Sequence, residues 1–438
     1  MKFTSTNKIS PEVSLKDAIM QGMPEDKGLY MPKSIPVIQE SFFQEIRSDS
    51  WERICETVAG AFFSGDVSRD VLKELIHEAL NFEAPLVKIS EGIHCLELFH
   101  GPTQAFKDFG ARFMARLMGY YRKDDDEDLH ILVATSGDTG SAVGHGFLGV
   151  KGIKVWILYP KGKVSLIQEK QLTTLGQNIT ALEIEGTFDD CQNLVKEAFT
   201  DSELRKQVLM TSANSINFAR LLPQVFYYIH AFTQLEDRGI PMVFSVPSGN
   251  FGNLVAGLFA ERLGLPVEHF VAATNINDAV PEYFKTGLFR PRPSVQTISN
   301  SMDVGNPSNF GRMLALFDND LGAMQREIYG CSFTDEETRA AIVEVYQNNG
   351  YIMDTHGAVG YLGLKEYTKT LSHPVNGIFL GTAHPAKFLD EVQPLIQEPI
   401  EMPKSLQESM GKPKKSEVLP ADYKSFRAFL LERSKSKV

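Results

Sequence analysis

The chain has 438 residues, 43% hydrophobic and 23% charged, enough for two or three cored domains of ordinary globular composition. Its net charge of -11 argues against a nucleic-acid-binding protein, which would carry a basic face, but leaves room for a small anionic ligand held by local donors. No apolar run approaches the ~20 residues that span a bilayer, and the four scattered cysteines, Cys55, Cys95, Cys191 and Cys331, read as reduced thiols of a cytoplasmic protein.

The start, MKFTSTNKIS, carries neither a signal-peptide core nor an Arg-rich transit pattern. Residues 1–95 are expected to form a mostly helical domain. DSWERICETVAGAFFSG and SRDVLKELIHEALNF have apolar residues at helical spacing, with N-cap candidates in Asp66–Asp70. From Leu129 short apolar runs of strand length appear: LHILVA, IKVWILYP, ITALEI, MVFSV, HFVAAT and GIFLG. Helical patterns such as SLIQEKQLTTLG and CQNLVKEAF lie between most of them, which predicts an α/β fold with parallel sheets covered by helices. The charge run KDDDEDL reads as a solvated loop. The expected division is 1–95, a large domain from 96–125 and 240–400, a smaller α/β domain from 126–239, and a tail from 401–438. DYKSFRAFLLERSK in that tail predicts a last surface helix.

Two segments share one design, a strand, a tight Gly-containing turn and a helix. In the first, Thr135-Ser136-Gly137-Asp138-Thr139-Gly140 follows LHILVA; in the second, Ser248-Gly249-Asn250-Phe251-Gly252-Asn253 follows MVFSV, with φ > 0 expected at Gly252. Each turn aims successive N–H groups from a helix N-terminus that carries roughly half a positive charge, so each is an anion site or an ordinary turn. The GxGxxG match at Gly144–Gly149 is discarded as a dinucleotide fingerprint. Its strand ends about ten residues earlier, which places these glycines inside a helix, where close packing explains them. In NGIFLGTAHPAKFLD, Thr382 stands at a strand's C-terminal edge and His384-Pro385 opens a short helix; Lys387 is either a substrate contact or, the preferred reading, a surface lysine. The ten histidines show no metal spacing and GxSxG is absent.

The segment ELFHGPTQAFKDFG places Lys107 between Phe106 and Phe109, just after a Gly-Pro turn. A lysine in such surroundings suits covalent catalysis, because burial lowers its pKa and frees the amine near neutral pH. Pyridoxal 5'-phosphate is the cofactor that uses such an amine as an imine and also needs a phosphate cradle. Lys107, the loop Gly249–Asn253 and Thr382 supply one attachment each for its aldehyde carbon, phosphate and pyridine nitrogen.

QGMPEDKGLYMP, CLELFHGPTQAFKDFG, ATSGDTGSAV, SANSINFARLL, VPSGNFGNL, AATNINDAVP and GTAHPAKF together resemble the motifs of the threonine synthase family, in its bacterial and fungal branch, across nearly the whole chain. The resemblance implies a tryptophan-synthase-β-like, fold type II, pyridoxal-phosphate enzyme. This would be a carbon–oxygen lyase acting on phosphate that turns O-phospho-L-homoserine and water into L-threonine and phosphate, with no obligate protein partner evident. It implies that Lys107 carries the cofactor and moves protons, that Gly249, Asn250, Phe251, Gly252 and Asn253 hold its phosphate, and that Thr382 faces its pyridine nitrogen. Thr135, Ser136, Gly137, Asp138 and Thr139 would receive the substrate carboxylate. Arg220 with the NSIN cluster, and Arg112, are the candidates for the leaving phosphate, Arg112 being as well placed for a structural role. Enzymes of this fold often have Asn where this chain has Asp138, and an aspartate beside the ring hydroxyl alters the electronics of the ring. The rivals are a phospholyase or a serine/threonine dehydratase of the same fold, and a non-catalytic protein binding the cofactor or a phospho-ligand. The length of the lysine motif favours the synthase over a dehydratase.

Overall fold

The computed structural model describes residues 1–47, 51–63, 65–125 and 127–434. The strand-length apolar runs assemble into two sheets. The larger has the order Ile328–Ser332, His269–Thr274, Met242–Pro247, Asn376–Gly381, Ile93–Glu97, Leu86–Ser90, parallel throughout except for the last pair. The smaller has the order Glu417–Pro420, Ile179–Glu185, Ile153–Pro160, Leu129–Ala134, Met210–Ser212, all parallel. The central strands are buried at every position, because helices cover both faces.

Each sheet has one place where the chain order reverses. In the larger it lies between Met242–Pro247 and Asn376–Gly381, and in the smaller between Leu129–Ala134 and Met210–Ser212. Such switch points open a crevice at the strands' carboxyl ends. The segments leaving those ends are Ser248–Asn253, Thr382, Thr135–Thr139 and Ala213–Ser215, so the topology itself delivers both glycine loops to ligand-binding positions.

Helices make up most of the regular structure of the N-terminal region, Leu15–Gln21 and Glu40–Glu45 among them. Trp51–Phe63 and Arg69–Ala79 are helices, the second capped by Ser68, but a three-stranded antiparallel sheet of Val13–Ser14, Lys2–Ser5 and Tyr30–Pro32 precedes them. Strands of two to four residues leave no readable period. The expected boundary at 95 falls within Ile93–Glu97, a strand of the larger sheet. Helix Gln224–Gln234, expected with the smaller domain, packs on Gly252–Arg262 and Trp51–Phe63.

Residues 401–434 pack on the rest of the chain. Lys404–Met410 packs on Leu166–Thr173, Glu417–Pro420 adds an edge strand, and Tyr423–Ser434 buries Phe426 and Leu430 in the smaller domain's core. The expected final residue of that helix, Lys435, and Asp126 within the charge run lie outside the described residues, as do Asp49 and Ser50 ahead of Trp51 and Ser64 after Phe63. Two glycines of the discarded fingerprint behave as packing residues, whereas Gly149, expected inside the helix, lies beyond its end at φ +75°. Gly144 and Gly146 lie in helix Asp138–Phe147, and a Cβ on Gly146 would sit 3.0 Å from the backbone of Ala111 in helix Lys107–Tyr121.

Candidate active site

Lys107 is the first residue of helix Lys107–Tyr121, and the turn before it fixes its place. Phe106 N donates to Thr382 O at 2.9 Å and Ala105 bridges Ala383, so the lysine is pinned to the end of strand Asn376–Gly381. Asp108 accepts from the Thr103 N–H and hydroxyl at 2.8 and 2.7 Å, which ties the turn to the helix start. Phe109 is fully buried on one side, and the Phe106 ring lies 5.7 Å from the Lys107 ammonium on the other. The Lys107 side chain is only 14% exposed, and the opening is a cavity. Burial pushes its pKa down to about 8, with Lys387 and Arg220 acting the same way against the pull of Asp138.

The same cavity is lined by Thr135, Ser136, Asp138, Thr139, Arg220, Gly249, Asn250, Phe251, Gly252, Asn253 and Thr382, which brings together all the expected site residues except Gly137 and Arg112. Gly137 shapes the loop from behind. Its φ is +147°, and a Cβ there would strike the Gln168 side chain at 2.5 Å.

Arg112 is not in the site. Five residues on from Lys107, it lies about 140° round the helix. Its guanidinium donates to Ala79 O, Glu78 O and Asn81 Oδ1 at 2.7, 2.8 and 3.0 Å, capping the end of helix Arg69–Ala79.

In the second glycine loop, none of the N–H groups of Gly249, Asn250, Phe251, Gly252 and Asn253 has a protein acceptor among the described residues. They stand at the N-terminus of helix Gly252–Arg262. Asn250 braces the loop by donating to Ser215 Oγ at 2.5 Å and accepting from Ser308 N at 2.6 Å. The left-handed residue is Phe251, at φ +60°, and not Gly252 as expected. The glycine whose lack of a side chain matters for fit is Gly249, where a Cβ would lie 2.8 Å from Met302 Cα.

In the first loop the Thr135 hydroxyl accepts from Gly137 N and Gly140 N at 3.0 and 2.9 Å. The N–H groups of Ser136, Asp138 and Thr139 have no protein acceptor among the described residues. Asp138 is buried. Its Oδ1 accepts from Lys387 Nζ at 2.7 Å and Gln168 Nε2 at 3.0 Å, and its Oδ2 from Ser301 Oγ at 3.2 Å. Burial alone would raise its pKa; Lys387 and then Lys107 outweigh that and hold it well below the usual carboxylate range.

Arg220 is buried, donates to Ala213 O at 2.6 Å and has no partner for its Nε. Asn214 and Ser215 of the NSIN cluster line the cavity, whereas Asn217 turns away to bond Ile19 O and Ser212 O.

Lys387 corrects the surface reading. It is 1% exposed and donates to Thr103 O at 2.9 Å as well as to Asp138. His356, Ser301, Phe188 and Gln192 also line the cavity and were not anticipated. His356 donates from Nδ1 to Asp354 at 2.8 Å and accepts from Ser301 N at 3.2 Å. Its signal was present in the capping residue Asp354 two positions before it, at the start of helix Thr355–Thr368.

The chain's similarities agree with this geometry. The family described as "Pyridoxal-phosphate dependent enzyme" matches residues 80–375, flanked by "Threonine synthase N terminus" at residues 2–80 and "Threonine synthase, C-terminal" at residues 357–430. The chain is 44% identical to a threonine synthase of Haemophilus influenzae, over 96% of this chain and 97% of that protein. The crystal structure of threonine synthase from Escherichia coli superposes with a TM-score of 0.92 at 41% identity, over 99% of this chain and 100% of that one. The pyridoxal-phosphate-bound threonine synthase from Brucella melitensis gives 0.93 at 34% identity, over 100% of both.

Proposed function

The chain belongs to the threonine synthase family of pyridoxal-phosphate-dependent enzymes, and on that footing we propose that it converts O-phospho-L-homoserine and water to L-threonine and phosphate. The observation that carries this reading is the pairing, in one cavity, of a desolvated lysine amine with two loops of uncommitted N–H groups.

The residues fit the cofactor. Lys107 offers an amine that is partly neutral near pH 8, Gly249–Asn253 offer five N–H donors at a helix N-terminus for a phosphate, and the Thr382 hydroxyl suits the pyridine nitrogen. When bound, pyridoxal 5'-phosphate supplies an electron-accepting ring linked through its aldehyde carbon.

The rest of the chemistry belongs to the chain's own groups. Ser136, Asp138 and Thr139 N–H hold the substrate carboxylate at the N-terminus of helix Asp138–Phe147. Arg220, with an unpartnered Nε, and Ser215 orient the substrate phosphate so that it leaves along one path. With substrate in place the Lys107 amine is free to act as a base, removing the α-proton and then one from the β-carbon. Phosphate departs with the electron pair of its Cγ–O bond and takes up a proton, the γ-carbon receives a proton to become the methyl group, water adds its hydroxyl at the β-carbon and gives up its other proton, and Lys107 returns a proton to the α-carbon.

No helix among the described residues is long and apolar enough to cross a membrane. Four free, buried cysteines support the cytoplasm as its compartment. Its ligands in this reading are small molecules, without an obligate protein partner.

The test is turnover of O-phospho-L-homoserine with added cofactor, measuring threonine and inorganic phosphate, with homoserine and vinylglycine as control substrates. Equal amounts of threonine and phosphate are expected. Phosphate accompanied by ammonia and a 2-oxo acid, without threonine, would identify a phospholyase instead.

A further inference from the structure

In the cavity wall, one buried carboxylate faces two lysines. Lys387, from the turn Pro385–Phe388, places Nζ 2.7 Å from Asp138 Oδ1, and its second bond goes to Thr103 O. Lys107 Nζ stands 4.0 Å from Asp138 Oδ2, beyond hydrogen-bond distance. The other acceptor sites of Asp138 are taken by Gln168 and Ser301. Of the remaining charged or titratable groups, Arg220 faces Lys107, His356 faces Asp138, and His145, His384 and Asp108 face Lys387.

Resting on the reading of Lys107 as the reacting amine, we propose that Lys387 is a positioning residue. It serves as the bonded counter-ion of Asp138 and so leaves the Lys107 amine without one, able to give up its proton.

The physics is that of a shared partner. A buried carboxylate is stable only when paired. An opposite charge in contact with an ammonium holds the proton on it. If Lys387 were missing, Lys107 would be the nearest cation, and a small rotation would close the gap. The resulting ion pair would fix Lys107 as an ammonium, useless as nucleophile or base. With Lys387 present, Asp138 and Lys387 are together neutral. Asp138 then lines the cavity without adding a net charge to it.

The experiment measures acylation of Lys107 against pH in the full-length, cofactor-free protein, using acetic anhydride and mass spectrometry of the Lys107 peptide. Wild type should show a midpoint near pH 8. Lys387→Met should move that midpoint up by about one pH unit or more, as expected for a lysine gaining a bonded carboxylate. Lys387→Arg should leave it near the wild-type value. The double variant Asp138→Asn/Lys387→Met removes both charges and should also return it to within about half a unit. An unchanged or lowered midpoint in Lys387→Met overturns the proposal. Should that variant fail to fold, the other two decide: a shift of a unit or more in either one overturns it. Borohydride reduction of the cofactor-loaded wild type keeps the two readings apart. An adduct on another lysine removes Lys107 from the reaction, whatever the acylation midpoints show.

Discussion

After strand Leu129–Ala134 the Thr135 hydroxyl takes two of the loop's own N–H groups, while after strand Met242–Pro247 no group among the described residues takes any N–H from Gly249 to Asn253. Both loops end at a helix N-terminus and both line one cavity. The first loop also carries its own anion, Asp138, already paired with Lys387, and keeps three N–H groups for a ligand. The second carries no charge and keeps five. Donor number and built-in charge therefore separate two candidate anion sites of common design. We assign the doubly charged cofactor phosphate to the second and the singly charged substrate carboxylate to the first.

The largest effect should come from the group that both loops serve. Lys107→Ala should abolish turnover even with excess cofactor, because removing one general base alone costs ~10²–10⁴-fold and this amine has a second role. A residual rate within tenfold of wild type, measured as phosphate release, would move the proton transfer to another residue.

Next in size is the second loop. A Cβ on Gly249 would lie 2.8 Å from Met302 Cα and 3.0 Å from Ser301 O, both backbone atoms, so Gly249→Val must push the loop and its donors aside. Cofactor affinity should fall well over tenfold, more than ~1.4 kcal/mol. The thermal midpoint of the cofactor-free protein should move little, since the loop lies at a sheet edge. Thr135→Val should do the reverse. It releases Gly137 N and leaves Gly140 N only its bond to Gly137 O, loosening the first loop, so KM for the substrate should rise about tenfold, with cofactor affinity within threefold of wild type. Equal effects of both variants on cofactor titration would erase the distinction between the loops.

The smallest catalytic effect belongs to Arg112→Ala. It removes three hydrogen bonds at the end of helix Arg69–Ala79 and should cost about 1–3 kcal/mol in chemical denaturation. Its kcat/KM should stay within twofold of wild type. A loss of kcat/KM above tenfold with unchanged stability would return Arg112 to the substrate.

The same contrast explains what could be read from the sequence. The buried strands were legible because parallel sheets write themselves as continuous apolar runs, and the two loops because glycine and small polar residues follow directly. The N-terminal sheet and the edge strand Glu417–Pro420 were not legible, being short or exposed, with flanks rich in polar residues. In the candidate site, local chemistry pointed to Lys107 and the two loops, which the fold brings to one cavity. It misplaced Lys387 and Arg112, because their settings depend on partners far away in the chain, Asp138 for one and the end of a separate helix for the other. It also put the left-handed turn on Gly252 when the backbone gives it to Phe251, a position glycine preference alone does not suggest.

The most direct measurement reduces the cofactor-loaded protein with borohydride, digests it and locates the cofactor by peptide mapping. The residues around the cavity predict a single adduct on Lys107, in the peptide containing Ala105-Phe106-Lys107-Asp108. An adduct on Lys387 or on any other lysine would contradict the assignment of Lys107 as the amine that both loops serve.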